Sequence, residues 1–360
     1  MRQRSEEITR LVGGRRVYRR RHVKSDGRRL HLYGYRPIED DPIAGEDLGM
    51  QAGSELRRHP LRGEWSVYAA ARQNRTFKPS APASPLAPSR PGAPLTEIPF
   101  ADFELAVFEN RFPSFSAAPG APAESPVETA PATGACEVVV YSPQTEGSLA
   151  TLGQDRRRLL VEAWIDRYAA LFEAGCAFVL PFENRGDEVG VTLHHPHGQI
   201  YGFPFVPDPQ QRALDAFEAG YDLAAESAVW EAELGISEAG GLVAYAPPFA
   251  RFPYEVWISA RRPVSGPWAF SGEEADGFAH LLGDVIGRYD TFFGRETPCM
   301  LSLHAAPFGR DGPFQFSAQF YPLLRGPDRV KYLASVEQAT GVFTVDVLPE
   351  QTAERLRTAT

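Results

Sequence analysis

The stretch His195-Pro196-His197-Gly198-Gln199 is the most informative part of this 360-residue sequence. A neutral imidazole attacks phosphorus well and also leaves well, so His197 can hold a nucleotide between two half-reactions. Gly198 leaves room on one side for a phosphate, and Gln199 supplies an amide that cannot be titrated. Because Gln199 cannot protonate a leaving group, the motif favours transfer to an incoming phosphate over hydrolysis. The alternative is a turn whose two histidines belong to the core or to a metal site.

The pentapeptide resembles the active-site motif of galactose-1-phosphate uridylyltransferases, a branch of the histidine triad superfamily. Other blocks resemble the same family in the same order along the chain. They are residues 56–65 with 72–75, 107–113, 182–186, 304–308, 320–325 and 350–356. Ordered blocks over most of the chain predict membership of this family and leave the substrate open.

The composition is that of a folded globular protein, with 43% hydrophobic and 23% charged residues. No apolar run is long enough to span a membrane, and nothing after Met1 resembles a secretion signal. Cys136, Cys176 and Cys299 are scattered, so they predict neither a disulfide framework nor a paired metal motif. We therefore expect a cytoplasmic protein.

Positive charge is concentrated at the amino terminus. Residues 1–36 carry twelve Arg and Lys against three Asp and Glu, a formal +9, which leaves −18 for the remainder of a chain of net charge −9. Such a basic arm can contact nucleic acid or another anionic partner. No interleaved aromatic residues or known reader motif accompany the charge, so nucleic-acid binding is not expected. The ordinary alternative is an arm that folds over its own acidic domain.

The first half of the chain combines strand patterns with two loop-like segments. Residues 79–95 and 117–135 are rich in Pro, Ala and Ser, and we expect loops there. Helical periodicity covers 154–174, where Leu160, Trp164, Tyr168 and Phe172 align. Strands are predicted at 15–19 and 30–35 around a Ser25-Asp26-Gly27 turn, and at 103–108, 137–141 and 177–182.

The second half repeats this content loosely, which predicts a duplicated unit. Helices are predicted near 209–233 and 272–293, and strands near 241–246, 254–260, 299–304 and 314–321. The resemblance implies the same architecture: an α+β fold of two fused histidine-triad-like halves, mainly antiparallel sheet with flanking helices. We assign residues 1–45 to a basic arm with short strands, 46–207 to a first half that carries the motif, and 208–360 to a second half.

The resemblance implies covalent catalysis. His197 would attack the α-phosphorus of a nucleoside diphosphate sugar, and a second sugar 1-phosphate would then take the nucleotide in a ping-pong cycle. Gln199 would donate to the phosphoryl oxygens, where charge grows. Arg72 and Arg75 would hold phosphates, a task that suits a guanidinium fork. From spacing alone, two arginines three residues apart can equally form a solvated face.

Other positions match substrate contacts of the family. Asn184 matches a residue that touches the phosphate or the sugar, and Thr192 keeps the hydroxyl donor of a common serine. Thr344 replaces an amide that contacts the hexose, and its shorter reach weakens the assignment of galactose. A carboxy-terminal segment matches one that contacts the substrate, often across a dimer interface; its residues are Lys331, Tyr332 and Glu337.

The family's structural zinc site is not retained in this sequence. That site uses two cysteines, a histidine after a strand and the first histidine of the motif. Here Ser84, Ala87 and Thr145 take the first three places, and only His195 remains. One imidazole cannot hold structural zinc, so we predict none. The alternative rescue would use His194 or Cys136.

A second metal of some members is also not expected. It uses histidines of the second half, where His304 remains but Ser317 and Gln319 stand in place of a His-x-His pair. His195, which we count among the residues of the substrate site, would then form hydrogen bonds that steady the loop aiming His197.

These observations predict a nucleotidyltransferase that exchanges UMP between UDP-hexose and hexose 1-phosphate, with UDP-glucose and galactose 1-phosphate as the default pair. One alternative is a related phosphorylase or transferase for another nucleotide or sugar, such as an ADP-sugar. A different class is a nucleotide-binding protein without catalysis that has lost its metals. The resemblance implies a homodimer.

Overall fold

The structure is a computed structural model. It describes residues 6–8, 15–47, 49–51, 53–74 and 84–360. The strands β1 to β17 span, in order, Glu6–Glu7, Tyr18–Val23, Arg29–Gly34, Ser54–Arg58, Trp65–Ala69, Leu105–Glu109, Thr129–Pro131, Ala135–Val140, Phe178–Arg185, His197–Phe203, Gly235–Ala239, Leu242–Tyr245, Val256–Ala260, Cys299–His304, Ser317–Pro322, Leu324–Gly326 and Arg329–Val330. The helices α1 to α6 span Gln154–Glu173, Asp208–Glu218, Leu223–Leu234, Gly272–Phe293, Ser335–Thr340 and Pro349–Thr358.

Twelve of these strands form one continuous sheet. Their order is β1-β2-β3-β6-β8-β10-β9-β14-β15-β13-β12-β11, and every neighbouring pair is antiparallel. Strands β9 and β14 pair at the centre and so join the two parts of the chain. The predicted α+β class, mainly antiparallel sheet with flanking helices, is confirmed.

Helices α1 and α4 cover one face of the sheet. Trp164 of α1 and Phe278 of α4 are buried in the core on this face, with ring centroids 6.5 Å apart. Helix α4 begins with a capping box, in which Ser271 and Glu274 satisfy each other's backbone N–H groups. On the opposite face, a second apolar cluster packs strands β3, β6 and β8 against the segment 84–103.

Cross-strand partners form a continuous row across the four central strands β10, β9, β14 and β15. Gln199 pairs with Phe182, Phe182 with Ser302, and Ser302 with Gln319. Directly paired residues share a face, so the two glutamines lie symmetrically about the central pair of strands. This symmetry is what a duplicated unit would produce.

The basic arm is part of this sheet. Strands β2 and β3 form the predicted hairpin around Gly27, and β3 pairs with β6. The arm meets acidic partners of its own chain, among them Asp166, whose carboxylate lies 2.6 Å from Arg19. Among the described helices, none combines the length and apolar character that a membrane crossing requires.

Several predicted boundaries were wrong. The helix expected over 209–233 is two helices, because Gly220 adopts a φ of 98° between them and ends the first. The loop expected over 117–135 contains β7, an edge strand that pairs with β4 and ends at Pro131. The strand expected over 177–182 continues to Arg185, so Asn184 lies within β9.

Candidate active site

His197 is the first residue of β10 and lies on the face of the sheet away from α1 and α4. Residues of β10 alternate between half-buried and buried, so His197, Gln199 and Tyr201 share this face, while Ile200 faces the core. The two predicted catalytic residues, His197 and Gln199, are therefore brought to one face by the pleat of β10 alone.

A backbone hydrogen bond selects the tautomer of His197. Its Nδ1 lies 2.8 Å from the carbonyl oxygen of His195. A carbonyl oxygen can only accept, so Nδ1 carries the proton and donates it, and Nε2 keeps its lone pair. Burial lowers the pKa of His197 below its ordinary value of 6.5. The ring is therefore neutral near pH 7, with Nε2 available as a nucleophile.

Gly198 is required for a reason that the sequence did not reveal. A side chain at this position would point to the core, not to the face that carries the His197 and Gln199 side chains. A Cβ at this position would lie 2.5 Å from the Tyr141 hydroxyl oxygen and 3.0 Å from the Phe182 carbonyl oxygen. Glycine thus lets Tyr141 approach the backbone directly behind His197, and the expectation that it makes room for phosphate was wrong.

Tyr141 donates a hydrogen bond of 2.8 Å to a carboxylate oxygen of Glu183. Both side chains are buried on the core side of the sheet. Burial raises the pKa of Glu183 to about 7, although the Tyr141 hydrogen bond and the nearby Arg185 oppose that rise. A buried, protonatable carboxyl group therefore supports the strand that carries the nucleophile.

His195 is buried and fixed by two hydrogen bonds of its ring. Nε2 lies 2.8 Å from the carbonyl oxygen of Ser142, and Nδ1 lies 3.3 Å from the hydroxyl oxygen of Ser84. The carbonyl requires Nε2 to donate, so Nδ1 accepts from Ser84. Both ring nitrogens contact protein atoms, and the geometry favours a positioning role over direct contact with substrate.

The residues that the sequence resemblance assigns to the family's zinc positions do not fit that metal. Ser84 and Thr145 offer neutral hydroxyls, Ala87 offers no ligand atom, and the ring of His195 is already engaged. Structural zinc sites instead use thiolates and imidazoles. Within the described parts of the chain, no three His, Cys, Asp or Glu residues converge in a way that could hold a metal ion.

The alternative ligands His194 and Cys136 each contact other groups. The His194 side chain is exposed, and its Nε2 lies 3.8 Å from Asp187. The Cys136 thiol is buried and accepts a hydrogen bond from the Phe115 N–H, and burial raises its pKa to about 11.

The second-half histidine also lacks partners for a metal. Burial and the nearby Arg251 lower the pKa of His304 to about 4. Beside it, Gln319 donates a hydrogen bond of 2.9 Å to the Ser317 hydroxyl. One imidazole with a hydroxyl and an amide does not make a transition-metal site.

A cavity of about 120 Å³ adjoins the nucleophile. Its wall includes His197, Gln199 and Thr192, together with Asn110 and the ring of Phe108. Sites for whole small molecules usually measure about 300–1,000 Å³, so this cavity accommodates only one part of a nucleotide sugar.

Two further predicted residues lie on the same face. Asn184 is two residues along β9 from Phe182, the register partner of Gln199. A guanidinium nitrogen of Arg72 lies 3.2 Å from the Phe112 carbonyl oxygen and 3.3 Å from the Tyr201 hydroxyl oxygen. Arg75, the second predicted phosphate ligand, lies outside the described residues.

The carboxy-terminal residues form a cluster of their own. Lys331 lies 2.8 Å from a carboxylate oxygen of Glu337 and donates to the Thr344 carbonyl, and the Thr344 hydroxyl donates to Glu337. These hydrogen bonds, that of Lys331 first, hold the pKa of Glu337 below its ordinary value. Tyr332 is 74% exposed. None of the four belongs to the wall of the His197 cavity within one chain, as far as the described residues show.

Sequence reasoning missed several residues of the site. Tyr201 carries a signal, because period-two alternation from His197 places it on the same face. Asn110 and Glu183 lie inside blocks that resemble the family, but nothing in those blocks distinguishes them. Glu97 also lies in the wall of the cavity beside His197, but it belongs to a loop whose sequence has no recognisable pattern.

The buried carboxyl makes a prediction about stability. The folded chain should keep the proton of Glu183 up to a pKa of about 7, whereas the unfolded chain loses it near the ordinary value of 4.5. The free energy of unfolding should therefore fall, by about 3 kcal/mol from this group, as the pH rises from 4.5 to 7. Glu183→Gln should remove that fall in urea denaturation. The exposed Glu146→Gln serves as the control, and equal pH dependence in wild type and Glu183→Gln would contradict the assignment.

Known proteins share both sequence and fold with this chain. Residues 46–207 match the family described as galactose-1-phosphate uridyl transferase, N-terminal domain. A galactose-1-phosphate uridylyltransferase from Thermotoga maritima is 36% identical over 84% of this chain and 98% of its own length. One from Streptomyces lividans is 32% identical over 92% of this chain and 95% of its own length.

Two solved structures extend the comparison. A uridylyltransferase structure superposes with a TM-score of 0.75 at 28% identity and covers 85% of this chain and 98% of that one. An ADP-glucose phosphorylase from Arabidopsis thaliana superposes with a TM-score of 0.62 at 21% identity. The match covers 86% of this chain and 99% of that one, and the two proteins share the fold.

Proposed function

Because this chain belongs to the galactose-1-phosphate uridylyltransferase family, we propose that it exchanges UMP between UDP-glucose and galactose 1-phosphate through a covalent intermediate on His197. The observation that carries the covalent step is the 2.8 Å hydrogen bond from Nδ1 of His197 to the His195 carbonyl. That bond leaves the lone pair on Nε2, and the His197 ring lies on the same face of β10 as Gln199.

In the first half-reaction, Nε2 of His197 attacks the α-phosphorus of UDP-glucose. The N–P bond forms as the bond from this phosphorus to the bridging oxygen breaks, and glucose 1-phosphate leaves with the electron pair. Positive charge develops on the ring, and the His195 carbonyl stabilises it through the Nδ1 proton. In the second half-reaction, a phosphate oxygen of galactose 1-phosphate attacks the same phosphorus, UDP-galactose leaves, and His197 is regenerated.

This chemistry needs no general acid. Each leaving group is a phosphate or the imidazole itself, and neither requires a proton to depart near neutral pH. Gln199 therefore serves as an uncharged donor to the phosphoryl oxygens, two residues along β10 from His197. Arg72, held at the Tyr201 hydroxyl, supplies positive charge on the same face.

The covalent step has a direct test. Incubation with uridine-labelled UDP-glucose should add one UMP to His197, and His197→Ala should abolish labelling and lower exchange at least about 1,000-fold. The exposed neighbour His194→Ala should keep both. Equal turnover by His197→Ala would contradict the proposal. Labelling by ADP-glucose in place of UDP-glucose would instead support a related enzyme for ADP-sugars.

We further propose that the fold works without structural zinc. His195 donates a hydrogen bond to the Ser142 carbonyl and accepts one from the Ser84 hydroxyl, and these bonds join the segments that a metal would otherwise hold together. Elemental analysis of the purified protein should find no stoichiometric zinc, and prolonged chelation should leave the melting temperature and the exchange rate unchanged. Stoichiometric zinc, or inactivation reversed by zinc, would contradict this proposal.

The site is also proposed to be shared between two copies of the chain. Family resemblance assigns Lys331 and Tyr332 to a substrate contact across a dimer interface, yet they lie off the His197 cavity of their own chain. Apolar side chains of this carboxy-terminal segment are strongly exposed, with Tyr332 at 74%, Val342 at 64% and Leu348 at 63%. Several exposed apolar side chains within one short segment support an interface there.

Sharing predicts complementation between defective subunits. A mixture of His197→Ala and Tyr332→Ala proteins, unfolded and refolded together, should be more active than either protein alone. The reason is that each heterodimer would keep one intact site. A mixture that forms heterodimers but gains no activity would contradict a shared site, and His197→Ala mixed with itself is the control.

The cytoplasm is the proposed compartment. The three cysteines are buried and free, with no disulfide among them. Reduced thiols of this kind are usual in the cytosol, whereas secreted proteins tend to pair them.

A further inference from the structure

The basic arm places two buried cations against Glu97, a residue in the wall of the 120 Å³ cavity beside His197. The turn between β2 and β3 carries Lys24 and Arg28, and each side chain is only 1% exposed. Most other arginines of the arm lie closer to solvent, such as Arg16 at 74% and Arg21 at 58% exposure. Burial of a cation is costly unless a counter-charge is fixed beside it. Among the described cations of the arm, these two are the most deeply buried, followed by Arg20 at 7%.

Both cations hold the same carboxylate. Lys24 Nζ donates to Oε2 of Glu97 at 2.6 Å and to its backbone carbonyl at 3.1 Å. A guanidinium nitrogen of Arg28 lies 2.8 Å from that Oε2. Asp26 pairs with Arg28 at 2.7 Å, and Asp47 lies 3.6 Å from Lys24. Glu97 is thus fixed by the hairpin, more than sixty residues away in sequence.

Glu97 lies in the wall of the 120 Å³ cavity that His197 also lines. Its other oxygen, Oε1, has no hydrogen bond to any described residue, and it is not one of the fully buried polar atoms. This oxygen is therefore an accessible acceptor whose orientation the two cations set. The cations also offset its negative charge, which would otherwise repel the phosphates of a nucleotide.

A donor lies on the same wall. Oδ1 of Asn110 accepts from the Phe112 N–H at 2.9 Å, which assigns the amide and leaves its NH₂ group to donate. Apart from Arg111, Thr192, His197 and Gln199, the remaining wall is apolar and includes Phe108 and Val138. Besides the residues placed at the phosphate, the cavity therefore offers the Glu97 acceptor and the Asn110 donor next to apolar side chains. An imide edge, in which an N–H group adjoins a carbonyl, complements that pair.

We infer that Lys24 and Arg28 are positioning residues that fix Glu97 as the acceptor for the imide N–H of uracil. This inference rests on the proposed function, because it assigns the small cavity to the nucleobase of UDP-glucose. Uracil presents an N–H next to a carbonyl. Cytosine presents a bare ring nitrogen at that position, which would face the Glu97 carboxylate without a proton between them. The hairpin thereby becomes part of the nucleotide site and a source of its base preference.

The discriminating variant is Glu97→Gln, because glutamine keeps an acceptor and adds a donor that suits cytosine. Exchange is measured with UDP-glucose and with CDP-glucose. We expect the ratio of kcat/KM for UDP-glucose to kcat/KM for CDP-glucose to fall at least about tenfold. Loss of a specific hydrogen bond to uracil makes the site reject cytosine less strongly. Lys24→Met should raise KM for UDP-glucose with little change in kcat, and Lys24→Arg should restore KM. Arg16→Ala, an exposed arm residue, is the matched control.

A binding measurement keeps the test independent of turnover and of variant stability. Calorimetry with UMP and CMP on the wild-type protein should show clear preference for UMP. Equal binding of both, or an unchanged UDP-glucose to CDP-glucose ratio in a folded Glu97→Gln, would overturn this inference while leaving uridylyl transfer intact. A protein that prefers UMP yet never exchanges it would reject the proposed function instead.

Discussion

A single hydrogen bond, from Nδ1 of His197 to the carbonyl of His195, determines what this site can do. The carbonyl can only accept, so it places the proton on Nδ1 and the lone pair on Nε2. Burial lowers the pKa of the ring and so keeps it neutral. With the opposite tautomer, the same side chain in the same place would present a proton to phosphorus and could not form the bond.

The surrounding structure holds that geometry with hydrogen bonds and tight packing. His195 supplies the accepting carbonyl, and its own ring is anchored to Ser142 and Ser84. Behind the nucleophile, Tyr141 fills the space that Gly198 leaves open. The hydrogen bonds of His195 thus join its loop to Ser84 and Ser142 through neutral groups, which hold the loop without adding charge.

The sequence was sufficient for features that depend on local pattern. The hairpin around Gly27 and helix α1 follow from turn chemistry and periodicity. It was insufficient where distant segments meet. The reason for Gly198 depends on Tyr141, which follows strand β8, and the fixation of Glu97 depends on the amino-terminal hairpin, so no window of sequence contains either relation. Charge counting identified the arm as basic but could not separate buried Lys24 from its exposed neighbours.

The most direct measurement is the tautomer of His197 in the free protein. Nitrogen-15 chemical shifts of the imidazole, recorded near pH 7 and assigned with a His197→Asn variant, distinguish the two neutral tautomers and the cation. We predict that the His197 ring is neutral and carries its proton on Nδ1. A protonated Nε2, either as the other tautomer or as an imidazolium, would contradict it.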